Sequence, residues 1–127
     1  MSEKKLINKV LTPKIKIWIE ADGEVVFGSG RLLLLQAIEE NGSIRQGASK
    51  LGMSYRAAWG KIKATEERLG IKLLVKHIGG NNGGAELTPE GKELLRLYDD
   101  FRKESYKAVD SLFAQYFEKL LPNIPIE

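Results

Sequence analysis

The chain has 127 residues, 43% of them hydrophobic and 29% charged, which is the length of one domain and enough apolar material for a core. It contains no cysteine, which excludes disulfides, thiol catalysis and cysteine-based zinc or iron–sulfur sites. No stretch reaches the roughly 20 apolar residues of a membrane helix, and the N-terminal residues lack the apolar core of a signal peptide. We therefore expect a cytoplasmic protein.

The positive charge is concentrated in the middle of the sequence. The net charge is only +3, but residues 44–76 contain eight basic and two acidic side chains, a formal charge of +6. A basic cluster by itself is most often a solvated face, although it also attracts phosphate backbones. Its overlap with the helical motif described below favours a phosphate-binding surface.

The N-terminal third predicts a β-hairpin followed by a helix. Residues 14–20 alternate between apolar and polar, which is typical of a strand, and residues 24–27 form a return strand after the Asp22-Gly23 turn. Residues 31–40 carry a leucine-rich stripe at helical spacing, and Asn41-Gly42 ends that helix. We expect the hairpin to pack on the helices through its isoleucine face, which consists of Ile15, Ile17 and Ile19.

Residues 42–69, GSIRQGASKLGMSYRAAWGKIKATEERL, predict two short helices joined by a tight turn. Ser43 and Ser54 can cap the two helices, Gly52 marks the turn, and Ala48 is small where the helices cross. This arrangement is typical of a helix-turn-helix, whose second helix enters the major groove of DNA. The predicted apolar seam between the helices consists of Leu51, Met53, Ala58 and Ile62.

The remaining third predicts a second hairpin and a long helix. Residues 72–78 and 85–87 read as strands, and the GGNNGG segment between them reads as a flexible tip. Thr88 and Pro89 have the residue types of a helix N-cap and a first helical position. We expect this helix to run to about Leu121, because the prolines that follow cannot continue it.

This order of elements predicts a mainly α fold with a small β component (α+β), a winged helix-turn-helix with an N-terminal β-hairpin. We expect one domain over residues 1–127, divided into the hairpin (13–27), the winged helix-turn-helix (28–88) and a C-terminal dimerisation helix (89–121). The last helix has more apolar side chains than one small domain can cover, which favours a homodimer. The alternative is that it folds back on its own core.

The start of the second motif helix predicts contacts with double-stranded DNA. Arg56 can donate two parallel hydrogen bonds to guanine, whereas Lys61 and Lys63 are more typical of phosphate contacts. The sequence favours two interpretations of Trp59 equally, a place at the edge of the core and a contact with DNA. The Gly/Asn tip is either a DNA contact or a solvent-exposed loop. The predicted DNA-binding residues are Arg45, Gln46, Ser54, Tyr55, Arg56, Trp59, Lys61, Lys63, Lys76, Asn81 and Asn82.

The sequence offers little for catalysis. His77 is the only histidine, and the chain shows no nucleophile–base set, no metal-ligand spacing and no paired carboxylates in an evident cleft. The glycine run is not followed by the lysine and the helix that a nucleotide phosphate loop requires. We expect no enzyme activity, no metal and no cofactor.

Three separated segments, GSIRQGASKLGMSYRAAWGKIK, GGNNGG and LTPEGKELLRLYDDF, together resemble the DNA-binding half of the molybdate-responsive (ModE-type) transcription regulators, relatives of the LysR-type winged helix. The resemblance covers roughly residues 28–117. It implies base contacts around Ser54, Tyr55 and Arg56, and backbone contacts on the wing between residues 76 and 84. Full-length members carry C-terminal oxyanion-binding domains, and no molybdate pocket is recognisable in this sequence.

The sequence therefore predicts a prokaryotic transcription regulator that binds double-stranded DNA specifically, as a homodimer on an inverted-repeat operator. The alternative is a winged-helix protein-interaction module that does not bind DNA specifically, because a fold does not by itself determine a function.

Overall fold

A computed structural model describes residues 8–77 and 83–120 of the chain. These residues form two compact units, one from Ile17 to Asp99 and the other from the residues up to Lys16 together with those from Asp100 onward. Both sheets in the described residues are two-stranded and antiparallel, β1 with β2 and β3 with β4. In chain order the elements are β1 (Trp18–Ala21), β2 (Glu24–Gly28), α1 (Ser29–Asn41), α2 (Ile44–Lys50), α3 (Tyr55–Leu69), β3 (Leu74–His77), β4 (Gly84–Leu87) and α4 (Pro89–Phe117).

This order confirms the predicted winged helix-turn-helix, in which α2 and α3 form the motif and the β3–β4 hairpin forms the base of the wing. Ser43 and Ser54 each accept a hydrogen bond from the backbone N–H three residues later, at 3.0 and 3.1 Å. Such caps contribute about 1 kcal/mol each. Gly52, in the turn, has a φ of 70°, a conformation that glycine adopts without steric cost.

The predicted seam between α2 and α3 is correct in part. Ala48, Ala58 and Ile62 are buried, and Met53 packs at the edge of the core. Leu51 is 38% exposed, because it is the residue that ends α2 and the chain turns there. The core cluster consists of Phe27, Leu32, Leu34, Leu35, Ile38, Ile44, Ala48, Ala58, Ile62, Leu73, Leu74, Ala85, Leu87 and Tyr98.

α1 and α2 approach each other closely at Gly47. A Cβ atom on Gly47 would lie 2.8 Å from the backbone nitrogen of Ile38, a separation that real Cβ atoms do not show. Ala48 is fully buried, so its small size also matters, but the helix spacing is limited by the glycine beside it.

The N-terminal hairpin differs from its prediction. Its first strand begins at Trp18 and not at residue 14, and of the predicted isoleucine face Ile15 and Ile17 are partly buried whereas Ile19 is 37% exposed. The packing side chains belong to β2, where Val26 and Phe27 are buried. A register shift between Ile19 and Glu20 interrupts the alternation on which the prediction relied.

Three long-range contacts hold the hairpin against the helices of the same unit. The Phe27 and Tyr98 rings lie 4.9 Å apart between centroids, and the Tyr98 hydroxyl donates a hydrogen bond to the Ile17 carbonyl at 2.7 Å. The Thr65 hydroxyl of α3 donates to the Val26 carbonyl at 2.8 Å, in a buried position. The hairpin therefore joins the C-terminal half of α3 to α4.

A buried carboxylate joins α3 to the start of the wing. Glu66 is 6% exposed, and its Oε2 atom accepts hydrogen bonds from the backbone N–H groups of Leu73 (2.7 Å) and Leu74 (3.3 Å). Two backbone donors that have no strand partner at this point are thereby satisfied. Glu66 is four residues from Ile62 and eight from Ala58, a spacing that places it on the buried face of α3.

Thr88 begins α4 as predicted and also fixes the wing. Its hydroxyl accepts a hydrogen bond from the Gly91 N–H at 2.9 Å and donates one to the Lys72 carbonyl at 2.6 Å. Its backbone N–H donates to the Leu73 carbonyl at 2.9 Å. The segment before β3 is therefore held from both sides, by Glu66 and by Thr88.

Gly91→Ala is expected to lower the free energy of unfolding by about 1–2 kcal/mol, as overpacked sites do. A Cβ atom there would lie 2.5 Å from the Leu73 carbonyl oxygen, which cannot yield because Thr88 holds it. The matched control is Gly60→Ala in α3, where no atom lies within 4 Å of the added Cβ and a gain of about 0.5–1 kcal/mol is expected. Urea unfolding of the three proteins measures both changes, and equal stability of the two variants would contradict the close contact.

The last helix ends at Phe117, four residues before its predicted end, and residues 118–120 form a turn. Pro122 and Pro125 lie outside the described residues. In the part of the chain that is described, no helix combines the length and the apolar character that crossing a membrane requires.

Candidate nucleic-acid interface

Polar side chains at the start of α3 are exposed, as the motif requires. The Ser54 Oγ atom accepts the capping hydrogen bond from Ala57, which leaves its O–H free to donate. Arg56 and Lys61 are exposed, and within the described residues neither has a hydrogen-bond or ion-pair partner. Arg56 is therefore free to reach a ligand from the first turn of the helix.

Two aromatic rings and three cations form a cluster that joins α2, α3 and β3. We call it the aromatic–cation cluster, and it consists of Arg45, Tyr55, Trp59, Lys63 and Lys76. Arg45 lies 4.7 Å from the centroid of the Tyr55 ring, and Lys63 lies 5.5 Å from that of Trp59. Lys76 Nζ lies 4.5 Å from the centroid of Trp59 and 5.8 Å from that of Tyr55, and it donates a hydrogen bond to the Tyr55 hydroxyl at 3.0 Å.

The charges of this cluster favour an anionic ligand. Its three cations come from three different elements, and the negative faces of the two rings attract them. In the part of the chain that the structure describes, these cations contact the two rings and the Tyr55 hydroxyl, and no carboxylate takes part in the cluster. Positive charges gathered without a counter-ion raise the local potential, so a phosphate group placed here would gain electrostatic energy.

A notch of about 150 Å³ lies between the start of α2 and the base of the wing. Arg45, Tyr55, Lys76 and His77 contribute to its walls. His77 Nε2 lies 3.1 Å from a Glu86 carboxylate oxygen, so that histidine is already engaged across the β3–β4 pair. The notch therefore presents Arg45 and Lys76 as its cationic groups.

The wing base is fixed to the helix-turn-helix by the backbone. The Ala85 N–H donates a hydrogen bond to the Gly42 carbonyl at 2.9 Å, in the turn between α1 and α2. Together with the bonds made by Glu66, this contact anchors both strands of the wing. The backbone of β3 is consequently held in position relative to α3.

The structure brings five of the eleven predicted residues together in the aromatic–cation cluster, through contacts that the sequence did not show. Trp59 is half-buried and packs against the core, which confirms its place at the core edge, and it also belongs to the aromatic–cation cluster; a DNA contact by Trp59 stays a prediction. Gln46 is exposed in the first turn of α2. Asn81 and Asn82 lie outside the described residues. Sequence reasoning missed the partnership of Lys76 with Tyr55 and Trp59, because those residues are 21 and 17 positions apart.

The sequence matches a known family and known relatives. Residues 30–92 match the bacterial regulatory helix-turn-helix protein, lysR family. The chain is 37% identical over 101 residues to the molybdenum-pterin-binding protein MopB of Rhodobacter capsulatus, covering 79% of this chain and 36% of that protein. It is 40% identical over 83 residues to the DNA-binding transcriptional dual regulator ModE of Escherichia coli (strain K12), covering 65% of this chain and 32% of that one. The chain thus spans about a third of the length of these relatives.

The fold is similar to that of solved DNA-binding domains. The crystal structure of the CbnR_DBD–DNA complex matches with a TM-score of 0.53 and 24% identity, covering 68% of this chain and 95% of that chain. The BenM_DBD/benA site 1 DNA complex matches with a TM-score of 0.50 and 25% identity, covering 65% and 89%. The resemblance predicted from the three sequence segments is thereby confirmed. Residues 30–92 of the chain therefore form a helix-turn-helix domain of the bacterial lysR family, and ModE-type regulators are among the relatives of the chain.

Proposed function

We propose that this protein is a cytoplasmic transcription regulator that binds double-stranded DNA in a sequence-specific manner, as a homodimer. The observation that carries the proposal is the exposed Arg56 at the start of α3, beside the aromatic–cation cluster on a helix-turn-helix. The name of the Escherichia coli relative, a DNA-binding transcriptional dual regulator, supports it.

The proposed roles follow from the chemistry of each side chain. Arg56 reads a guanine through its two parallel donors, because no other described residue occupies them. Lys61 and Lys63 neutralise phosphates and contribute affinity without sequence preference. The remaining proposed contacts are Arg45, Gln46, Ser54, Tyr55 and Trp59, with Asn81 and Asn82 on the wing tip.

The homodimer is proposed from the surface of α4. Only Gly91 and Tyr98 of this helix are buried, whereas Phe101 and Leu112 are about half exposed and Tyr116 is 76% exposed. A row of large apolar side chains in water is costly, and pairing with a second copy of the helix would remove it from solvent. Such a dimer would place two α3 helices about 34 Å apart, one turn of DNA, and predicts an inverted repeat.

The proposal assigns no oxyanion sensing to the described residues. Molybdenum-pterin binding is what the name of the Rhodobacter capsulatus relative states of that protein, of which this chain covers 36%. In the described residues, no group of three or more histidine or acidic side chains is placed to hold a metal ion. The regulatory signal is therefore left outside this proposal.

Selection from a random-sequence duplex pool, at about 50 and 200 mM salt, tests the proposal. We expect enrichment of an inverted repeat that survives the higher salt, and a stoichiometry of two chains per duplex in sedimentation velocity. Binding that disappears between these salts without enrichment would indicate phosphate attraction alone. The exposed apolar face of α4 would then favour the alternative, a module that binds another protein.

A further inference from the structure

We infer that Lys76, at the base of the wing, is a positioning residue that holds Tyr55 and Trp59 and thereby orients Arg56, and that it is not a phosphate contact. The inference rests on the proposed function and deepens it, because it makes the wing responsible for part of the base discrimination of α3. It also changes the role that the sequence suggested for Lys76.

Among the described residues, the side chain of Lys76 has three recorded contacts, all with α3. Its ammonium group donates a hydrogen bond to the Tyr55 hydroxyl at 3.0 Å and lies near the faces of two rings, 4.5 Å from the centroid of Trp59 and 5.8 Å from that of Tyr55. Tyr55 and Trp59 are four residues apart and are neighbours on the helix surface. Lys76 thus links two successive turns of α3 to one point on β3.

The point from which Lys76 reaches α3 is itself fixed. Two residues earlier, the Leu74 N–H is bound by the buried Glu66 carboxylate, and across the strand pair Lys76 is in register with Ala85, whose N–H is bound to Gly42. The backbone of β3 and β4 around Lys76 is therefore held in place whatever the Lys76 side chain does. Loss of the Lys76 contacts would therefore remove one restraint from each of the two rings and leave the strand where it is.

Arg56 lies beside Trp59 on the surface of α3, to one side of the pair that Tyr55 and Trp59 form. It directly follows Tyr55, and Trp59 is three residues further on, so the indole is its neighbour one turn along. Bidentate recognition of guanine needs a guanidinium in one orientation, and a long side chain loses rotamer entropy when it adopts that orientation. A fixed indole beside Arg56 removes part of that freedom before DNA binds, which favours the matched base over others.

Removal of a phosphate-binding lysine and removal of a positioning lysine are expected to change the affinity for DNA in different ways. A lysine that binds phosphate contributes equally to every sequence, so its removal weakens all duplexes by the same factor. A lysine that orients Arg56 contributes mainly to the preferred site, so its removal reduces the ratio between preferred and shuffled duplexes.

The test compares Lys76→Met with Lys72→Met, a matched loss of one exposed lysine four residues away. We expect Lys76→Met to reduce the preference for the selected site over a shuffled duplex by about fivefold, the size of one or two exposed cation–π contacts. Lys72→Met should leave that ratio unchanged, whatever it does to overall affinity. Lys76→Arg keeps the charge and the contact with the rings, and should restore the ratio to within about twofold.

A second readout needs no DNA. The chain has two tryptophans, so Trp18→Phe leaves Trp59 as the sole indole emitter. In that background, Lys76→Met should change the Trp59 emission maximum and its accessibility to acrylamide, and Lys72→Met should change neither. Circular dichroism of each variant verifies that it is folded.

Unchanged Trp59 emission in Lys76→Met, or an equal loss of affinity for both duplexes, would overturn the inference. If the parent protein prefers no duplex at all, sequence-specific binding itself fails. The fluorescence comparison then decides by itself whether Lys76 holds Trp59.

Discussion

Replacing Glu66 with alanine is expected to lower the free energy of unfolding by about 3 kcal/mol. The carboxylate is buried and accepts hydrogen bonds from the Leu73 and Leu74 N–H groups at 2.7 and 3.3 Å. Without it, two backbone donors remain buried and unpaired, and each such donor costs about 1–3 kcal/mol. Urea unfolding at a fixed protein concentration measures the change, because the stability of a dimer depends on concentration.

The neighbouring glutamate provides a matched control for this variant. Glu67 follows Glu66 on α3 but is exposed, so Glu67→Ala removes the same charge from the same helix without freeing a buried donor. We expect Glu67→Ala to change the stability by no more than about 0.5 kcal/mol, as ordinary surface substitutions do. Equal effects of the two substitutions would show that charge and helix propensity, and not the hydrogen bonds to the wing, account for the loss.

Replacing Arg56 with alanine is expected to cost on the order of 1–3 kcal/mol of binding to the preferred duplex and to relax the base preference at one position of each half-site. The reason is the loss of a bidentate contact that discriminates guanine from the other bases. Fluorescence anisotropy titrations with the selected site, and with duplexes changed at single positions, measure both quantities.

Lys61→Ala is the comparison for Arg56→Ala, since both residues are exposed on α3 and each substitution removes one positive charge. Lys61→Ala should weaken all duplexes by the same factor and reduce the slope of log affinity against log salt by about one unit. If Arg56→Ala also weakened every duplex equally, Arg56 would be a phosphate contact and base reading would have to come from another residue.

The sequence was most informative where structure depends on neighbouring residues. The caps at Ser43, Ser54 and Thr88 were predicted from residue type and spacing, and each makes the expected hydrogen bond. A cap needs only a side-chain oxygen within three residues of a free N–H, so its signal is local. Gly52, in the predicted turn of the helix-turn-helix, has the positive φ for which a glycine is suited.

The sequence was least informative where a residue finds its partner far along the chain. The strand predicted from residue 14 depended on alternation alone, whereas burial of the hairpin depends on Phe27 meeting Tyr98, 71 residues away. Alternation of apolar and polar residues shows that the two faces of a strand differ in polarity. It does not show which strand packs against a helix. The predicted isoleucine face fails at Ile19, which is exposed.

The candidate interface also combines features that the sequence predicts with features that depend on the tertiary structure. The sequence by itself determined the helix-turn-helix, its caps, the basic charge of residues 44–76 and the exposed position of Arg56, because these depend on helical periodicity and composition. Only the tertiary structure decided that Glu66 holds the wing and that Lys76 reaches Tyr55 and Trp59. Both contacts cross between a helix and a strand, and such pairings are set by how the elements pack in space, which no local pattern encodes.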